Sequence, residues 1–346
     1  PGVFLVLRRM SMMADAITHT VFLGIVLAFF VTEDLNSPLL LVGATLVGVG
    51  TVWLTEMIHN TGLVNEDASI GIIFPLLFSI AIILVSLYSG NAHLDVDTAL
   101  LGEIAFAPFD RWIVNGTDLG PVSLWISLGV SIINLVLVVL FYKELQLSTF
   151  DPLLAGLFGF MPVLIHYVLM TMVSLTVVAS FQAVGAILVI GLMIGPAVIA
   201  YLWTDSVKAM LISSIIIGII CAVIGTEVAF TLDVSIAGAI ATTIGVALLL
   251  AVICTPKTGY IATYLRQRHL RRHYRETMML CHIYTHMNTP VAAIENGIGT
   301  IHEHLNWKPD YTHQAASHLK KQGLLYVTNG YYMLTDKGVA QVKEII

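Results

Sequence analysis

The chain has 346 residues, of which 57% are hydrophobic and 11% charged, with a formal net charge of −6. An ordinary soluble domain is about 25% charged, so this composition excludes one and indicates a polytopic membrane protein. Residues 1–255 hold five Lys/Arg against sixteen Asp/Glu, whereas 256–346 hold eleven against six, together with eight of the twelve histidines. An acidic membrane body is therefore followed by a basic tail. Cys221, Cys254 and Cys281 show no paired spacing, which argues against a disulfide framework or a CxxC zinc site.

Residues 1–7 are apolar, lack a basic leader and a cleavage site, and read as the end of a helix. A bilayer core takes about 20 apolar residues per helix. Eight such segments are expected, over residues 12–31, 37–58, 70–90, 122–142, 161–180, 183–203, 208–230 and 235–255. Arg8 and Arg9 precede the first, Lys143 follows the fourth, Lys208 follows the sixth, and the basic tail follows the eighth. Simple alternation puts all of these on one side, which the positive-inside rule makes cytoplasmic. Arg111, in the long 91–121 loop outside, is the exception. That loop could be partly re-entrant.

The first segment carries Asp15 and His19. Their i, i+4 spacing puts both on one helix face. A carboxylate at mid-helix in a bilayer costs roughly 2.5–3.5 kcal/mol on insertion scales, so an acid retained there is read as functional. Carboxylate plus imidazole suits a first-row divalent metal ion. The alternative is that Asp15 pairs with Arg8 or Arg9 while His19 merely packs. Met10, Met12, Met13 and Met193 are read as core, although their sulfurs could add softness to a metal path. Glu56 and His59, at i, i+3 near an inner helix end, form a weaker ligand candidate. Asp67 reads as the cap of the third segment. His166 reads as a hydrogen-bonded packing residue.

Glu227 and Asp233, near the outer end of the seventh segment, could attract cations at an entrance or be solvated helix-end acids. The glycines of the sixth segment, with Pro196, are read first as sites of close helix packing.

The tail opens with the basic run Arg266–Arg275, expected as a linker helix meeting anionic headgroups. Residues 276–287 and 311–322 read as amphipathic helices. Two β-like runs flank Asn329-Gly330, a hairpin signal, and Thr335-Asp336 caps a last helix. Helices, a hairpin and a helix make a winged-helix arrangement. The chain contains no G-x-x-x-x-G-K-[ST] motif, so it cannot power transport through a P-loop of its own.

Arg8-Arg9-Met10-Ser11-Met12-Met13-Ala14-Asp15-Ala16-Ile17-Thr18-His19 resembles a signature of the manganese/zinc/iron ABC-transporter permeases. Glu66-Asp67-Ala68-Ser69-Ile70-Gly71, Phe150-Asp151-Pro152, Gln182-Ala183-Val184-Gly185 through Gly195-Pro196-Ala197, and Asp233-Val234-Ser235-Ile236-Ala237-Gly238 resemble further segments of that family, in order. Ala14 stands where the family usually has Gly, and Thr20 where it has Ala. A further helix normally precedes the double arginine. Gly323-Leu324-Leu325-Tyr326-Val327 and Leu334-Thr335-Asp336-Lys337-Gly338 resemble the wing of iron-dependent repressors.

The resemblance implies an all-α polytopic membrane protein with a small C-terminal α+β winged-helix cytoplasmic domain. Its expected parts are a transmembrane permease domain over 1–255, a basic juxtamembrane linker helix over 256–275 and a winged-helix-like domain over 276–346. The implied function is the permease subunit of an ABC importer in the bacterial cytoplasmic (inner) membrane, working by alternating access. Mn2+, Zn2+ or Fe2+ is its transported ion, and no cofactor is held permanently. ATPase subunits, an extracytoplasmic metal-binding protein and a second permease, identical or homologous, are the implied partners. The implied metal residues are Asp15 and His19, with Glu227 and Asp233 as further candidates. Residues 196–210 resemble a coupling segment, with Pro196, Tyr201, Thr204, Asp205 and Lys208 on a short interfacial helix that docks on an ATPase. In the tail, His313, His318, Lys320 and Lys321 form a possible docking or nucleic-acid surface. No arginine on that helix is present to read guanine, and docking or regulation is favoured over DNA binding. Other classes stay open: a membrane-anchored metal-responsive regulator, or a gradient-driven secondary transporter.

Overall fold

The computed structural model describes residues 1–33, 37–88, 104, 107–114, 117–256 and 259–345. The chain divides into two compact units, Pro1–Ile253 and Cys254–Ile346.

In the first unit, a short helix α1 (Gly2–Leu7) leads through Arg8–Met10 into α2 (Ser11–Thr32). Then follow α3 (Pro38–His59), α4 (Glu66–Tyr88), the hairpin β1–β2 (Arg111–Val114, Thr117–Pro121) and α5 (Val122–Leu140). Two short helices come next, α6 (Tyr142–Phe150) and α7 (Pro152–Leu157). The unit closes with α8 (Pro162–Val184), α9 (Ala186–Trp203), α10 (Val207–Leu232) and α11 (Ile236–Cys254). Eight of these helices are long and apolar enough to cross a membrane, at the places the apolar runs indicate.

α2 is the central helix. In its most apolar stretch 61% of the residues are buried against other helices, compared with 11% in α5. Its buried face, including Met13, Ile17, Val21 and Ile25, packs with Leu40 and Ala44 of α3, Met170 and Val177 of α8, and Val189 of α9. Gly24 permits the closest of these approaches. A β-carbon there would run into the backbone of Gly43 and Ala44 on α3. Short polar residues fix the helix starts. Ser37, Asp151 and Ser206 accept from the backbone N–H groups of Leu39, Leu154 and Ala209, respectively.

Several local expectations change. α4 begins at Glu66 with Asp67 already in its first turn, so Asp67 is not the cap. Pro196 does not open a short interfacial helix; it sits inside α9, which continues to Trp203. Its ring faces Gly218 of α10, where a β-carbon would lie 3.6 Å away. Packing against a neighbouring helix lets a membrane helix accommodate proline. Gly185, at φ +78°, takes the positive φ that separates α8 from α9. The described part of the 91–121 loop forms a 3-10 turn at Ala107–Phe109 and the hairpin. Residues 89–103, 105–106 and 115–116 lie outside the described residues, and with them the re-entrant reading.

The second unit contains α12 (Tyr260–His286), α13 (Ala292–Glu295), α14 (Ile301–His304), α15 (Pro309–Lys321), β3 (Leu325–Thr328), β4 (Tyr331–Leu334) and α16 (Asp336–Ile345). The basic linker and the first tail helix are one continuous helix, not two elements divided at 275. No helix breaker separates Arg275 from Glu276, and Met279, Leu280 and Ile283 of α12 sit in the unit's own core. That core adds Ile301, Leu319, Leu325, Tyr332, Leu334 and Val342. β3 and β4 pair antiparallel with Thr328 opposite Tyr331. Asn329 and Gly330 both take positive φ, at 49° and 84°, as the two-residue hairpin turn requires.

Candidate functional site

α2 sets Asp15 and His19 one turn apart, with His19 Nε2 3.5 Å from Asp15 Oδ1. Although α2 is the most buried span, the His19 and Asp15 side chains remain 25% and 40% exposed. They therefore occupy the open side of the central helix. Phe74 and Phe78 of α4 wall the imidazole, with ring centroids 5.4 and 5.8 Å away. His19 Nδ1 is buried without a hydrogen-bond partner. Such groups nearly always have one. A hydrogen bond at 3.5 Å is also long, so Asp15 hardly satisfies the ring either. The pair thus offers a carboxylate oxygen and an under-used imidazole on an accessible face. Two donors are too few for a closed metal cage and suit weak, passing coordination.

Among the methionines, Met13 is fully buried, Met10 and Met193 pack against the core, and Met12 is exposed. Arg8 and Arg9 do not neutralise Asp15, and Arg8 is engaged elsewhere. Its guanidinium donates to Ser148 Oγ at 2.9 Å, Thr149 Oγ1 at 3.1 Å and His166 Nδ1 at 3.2 Å. Arginine can only donate, so His166 accepts at Nδ1 and carries its proton on Nε2. That nitrogen lies 2.7 Å from Glu56 Oε1. Tyr167 donates to Glu56 Oε2 at 2.6 Å. A polar cluster therefore joins the start of α2 to α3, α6 and α8, with His166 Nε2 and Glu56 in close approach but without aligned hydrogen-bond geometry. Glu56 pairs with His166 rather than with His59, whose ring instead lies 3.3 Å from the Val64 carbonyl oxygen. Spacing along the sequence favoured the local partner, and no local signal announces one 110 residues away.

This cluster holds helix ends together. Glu56→Gln should lower stability by about 1.5–3 kcal/mol, the range for hydrogen bonds to charged groups. Thermal unfolding in detergent should show a clear fall in midpoint, and an unchanged midpoint would deny the network a structural role.

The ABC 3 transport family matches residues 1–255. The chain belongs to that family. The manganese transport system membrane protein MntD of Bacillus subtilis is 45% identical over 271 residues, covering 78% of this chain and 92% of that protein. The zinc transport system membrane protein TroD of Treponema pallidum is 41% identical over 340 residues, covering 98% of this chain and 92% of that protein. The likeness to TroD therefore extends through the tail. Among solved structures, PsaBC from Streptococcus pneumoniae in complex with Fab matches with a TM-score of 0.63 and 29% identity, covering 77% of this chain and 88% of that one.

Within this ABC 3 chain, no ion pair among the described residues joins Glu227 or Asp233 to the Asp15–His19 turn. Asp15 lies in the first third of α2, Glu227 in the last third of α10, and Asp233 is the left-handed cap that ends α10. The expected coupling residues lie at a helix end rather than on a helix of their own. Tyr201 is exposed, and Thr204 closes α9 by donating to the Ala200 carbonyl at 2.7 Å. Asp205 follows in the short break before α10. Lys208 Nζ lies over the Tyr142 ring, 5.7 Å from its centroid, which ties the start of α10 to α6.

In the tail, His313 and Lys321 of α15 line a cleft together with Arg268, Arg271, Arg272 and Arg275 of α12. His318 Nδ1 is 2.9 Å from Glu276, which also accepts from Arg272 at 3.1 Å. His318 lines the same cleft while paired with Glu276. Lys320 is exposed and does not line the cleft. Arg275 stacks on Tyr311 at 4.0 Å. The arginines missing from α15 are supplied by α12, which reading each helix separately did not reveal.

Proposed function

We propose that the chain is the transmembrane permease subunit of an ATP-binding-cassette importer for a divalent transition-metal ion. The observation that carries this reading is the Asp15–His19 turn, a polar pair on the open side of the central membrane helix, in a chain of this family. The manganese and zinc named for its relatives agree with one carboxylate oxygen and one imidazole nitrogen. Iron(II) fits the same donors, because geometry and availability select among such ions more than donor type does.

An open polar face on a membrane helix calls for a covering surface. A second permease, identical or homologous, would supply it and complete the coordination from across the path. An extracytoplasmic binding protein would deliver the ion, and separate ATPase subunits would drive alternating access. With the start of α2 on the cytoplasmic side, Asp15, four residues or roughly 6 Å into α2, would lie near the inner side. It then acts as an inner gate or mid-path station.

The ATPase surface moves to α6 and α7. Leu145 of α6 is buried with Phe4, Leu169 and Val207, which roots the pair of short helices in the membrane unit. Phe150, Leu153, Leu157 and Phe158 are 61%, 85%, 85% and 68% exposed. Large apolar side chains grouped beyond the membrane spans mark a protein contact. The tail, whose element order supports a winged-helix reading, would then be cytoplasmic. Its basic cleft suits an acidic docking partner.

Proteoliposomes holding the assembled permeases and ATPase subunits, supplied with the extracytoplasmic binding protein, test the reading. Mn2+ or Zn2+ uptake should require ATP hydrolysis. Uptake that persists when the ATPase is omitted and follows an ion gradient would replace the importer with a secondary transporter.

A further inference from the structure

The second unit holds another group of metal-ligating side chains, far along the chain from Asp15 and His19. His282 and His286 stand four residues apart on α12 and share one face, with ring centroids 4.8 Å apart. Glu295 ends α13 beside them. One donor atom from each of His282, His286 and Glu295 lies within 4.8 Å of the others. Zinc bonds to nitrogen and oxygen are about 2.0–2.2 Å, so a side-chain shift on the order of 1 Å brings all three onto one ion.

The surroundings hold these groups as an outer shell holds ligands. His282 Nε2 lies 3.2 Å from the Glu295 carbonyl oxygen. A carbonyl only accepts, so Nε2 carries the proton and the other ring nitrogen keeps its lone pair. A ligating histidine commonly donates its second N–H to a backbone carbonyl in this way. His304 Nδ1 lies 3.0 Å from Glu295 Oε2, which orients the carboxylate and leaves Oε1 available. Asn296 is fully buried. Its side-chain amide donates to the Ile283 carbonyl at 3.3 Å, and its backbone carbonyl accepts from the Tyr332 N–H at 2.9 Å. These bonds clamp residue 295 between α12 and β4.

A surface ion pair needs only His304 and Glu295. It gives no reason for two more imidazoles beside the same carboxylate, where protonated rings would repel one another. Neutral rings do not repel, and the neutral ring is the form that binds metal.

We propose that His282, His286 and Glu295 form a binding site for a first-row divalent transition-metal ion, with His304 as the positioning partner of Glu295. Two imidazoles select against calcium and magnesium, which prefer all-oxygen sets. Three protein ligands leave a coordination position open, so the ion exchanges rather than being locked in. The site stands independently of the transport reading. It gives the tail a means of sensing ions of the class assigned to the membrane unit.

The test uses the full chain in detergent, carrying Asp15→Asn and His19→Ala so that the membrane pair is silent. Cobalt(II) is titrated and followed by its visible absorption, with zinc measured by equilibrium dialysis. About one ion per chain should bind, as a single three-ligand site requires. His286→Gln and Glu295→Gln should each abolish that equivalent, whereas His302→Ala should leave it intact. His304→Ala should keep the stoichiometry and weaken affinity about 10–100-fold, the usual effect of losing an outer-shell partner. The metal-free unfolding midpoint is read for each variant, and His282→Gln replaces any that is destabilised. Absence of binding in the parent overturns the site. So does unchanged affinity in both His286→Gln and Glu295→Gln.

Discussion

Asp15→Asn should reduce metal uptake roughly 100-fold or more while leaving the protein at least as stable. The two halves of that expectation come from one physical fact. An ionised carboxylate costs about 2.5–3.5 kcal/mol at the centre of a membrane helix and less toward its end, where Asp15 lies. The amide keeps the shape without the charge, so the variant sheds that cost. If Asp15 served the fold, neutralising it would loosen the helix bundle. Among the described residues no arginine forms an ion pair with it, and it lies 3.5 Å from His19. Its role is then toward an ion. Losing a charged donor at a two-donor station removes on the order of 3 kcal/mol of coordination, or about 100-fold. His19→Gln should act in the same direction and keep the contact with Phe74 and Phe78 partly filled. Labelled Mn2+ or Zn2+ uptake in proteoliposomes, read beside thermal unfolding, separates the roles. Normal uptake in both variants would remove the pair from the path.

The membrane unit is largely legible in the sequence because its signal is local. Twenty apolar residues announce a span, and the eight expected segments fall on the eight helices long and apolar enough to cross a membrane. Asn329-Gly330 announces the hairpin for the same reason, since two adjacent residues must accept positive φ. The Asp15–His19 turn is legible because four residues make one helical turn. What depends on packing is not. Glu56 finds His166 on another helix, and the local candidate His59 is the wrong partner. Pro196 reads both as a packing site of the sixth segment and as the start of a coupling helix, and the bundle keeps it inside α9 against Gly218. Arg275 and Glu276 read as the seam between a linker and a domain, because charge changes there and the hydrophobic pattern begins. The backbone ignores that seam, since nothing in it interrupts helical hydrogen bonding. The His282–His286–Glu295 group hides for a related reason. Two of its members share a helix face, but the third arrives from α13 by way of a buried Asn296.

Leu157→Asp should uncouple the permease from its ATPase, and Leu153→Asp should do the same. Both leucines are 85% exposed on α7, so the charge meets water in the isolated chain and leaves folding intact. It meets a different environment once a partner covers the helix. A charge buried without a partner at a contact centre costs several kcal/mol, and changes at interface hot spots reach 2 kcal/mol or more. Association should therefore weaken at least about 30-fold, and uptake and permease-stimulated ATP hydrolysis should fall together. Ala155 gives the internal control. It lies on the same helix but is fully buried, so Ala155→Asp should damage the permease itself and lower its unfolding midpoint. The competing location is the α9–α10 junction, where Tyr201 and Trp203 are also exposed. If Tyr201→Asp uncouples transport and Leu157→Asp does not, the docking surface returns to that junction. The α7 assignment rests on a difference in setting. α6 and α7 form a separate pair of short helices rooted by Leu145, whereas Tyr201 and Trp203 are the last turns of a membrane span. A pair of helices outside the spans can be gripped and moved as one piece, which is what coupling to ATP hydrolysis requires.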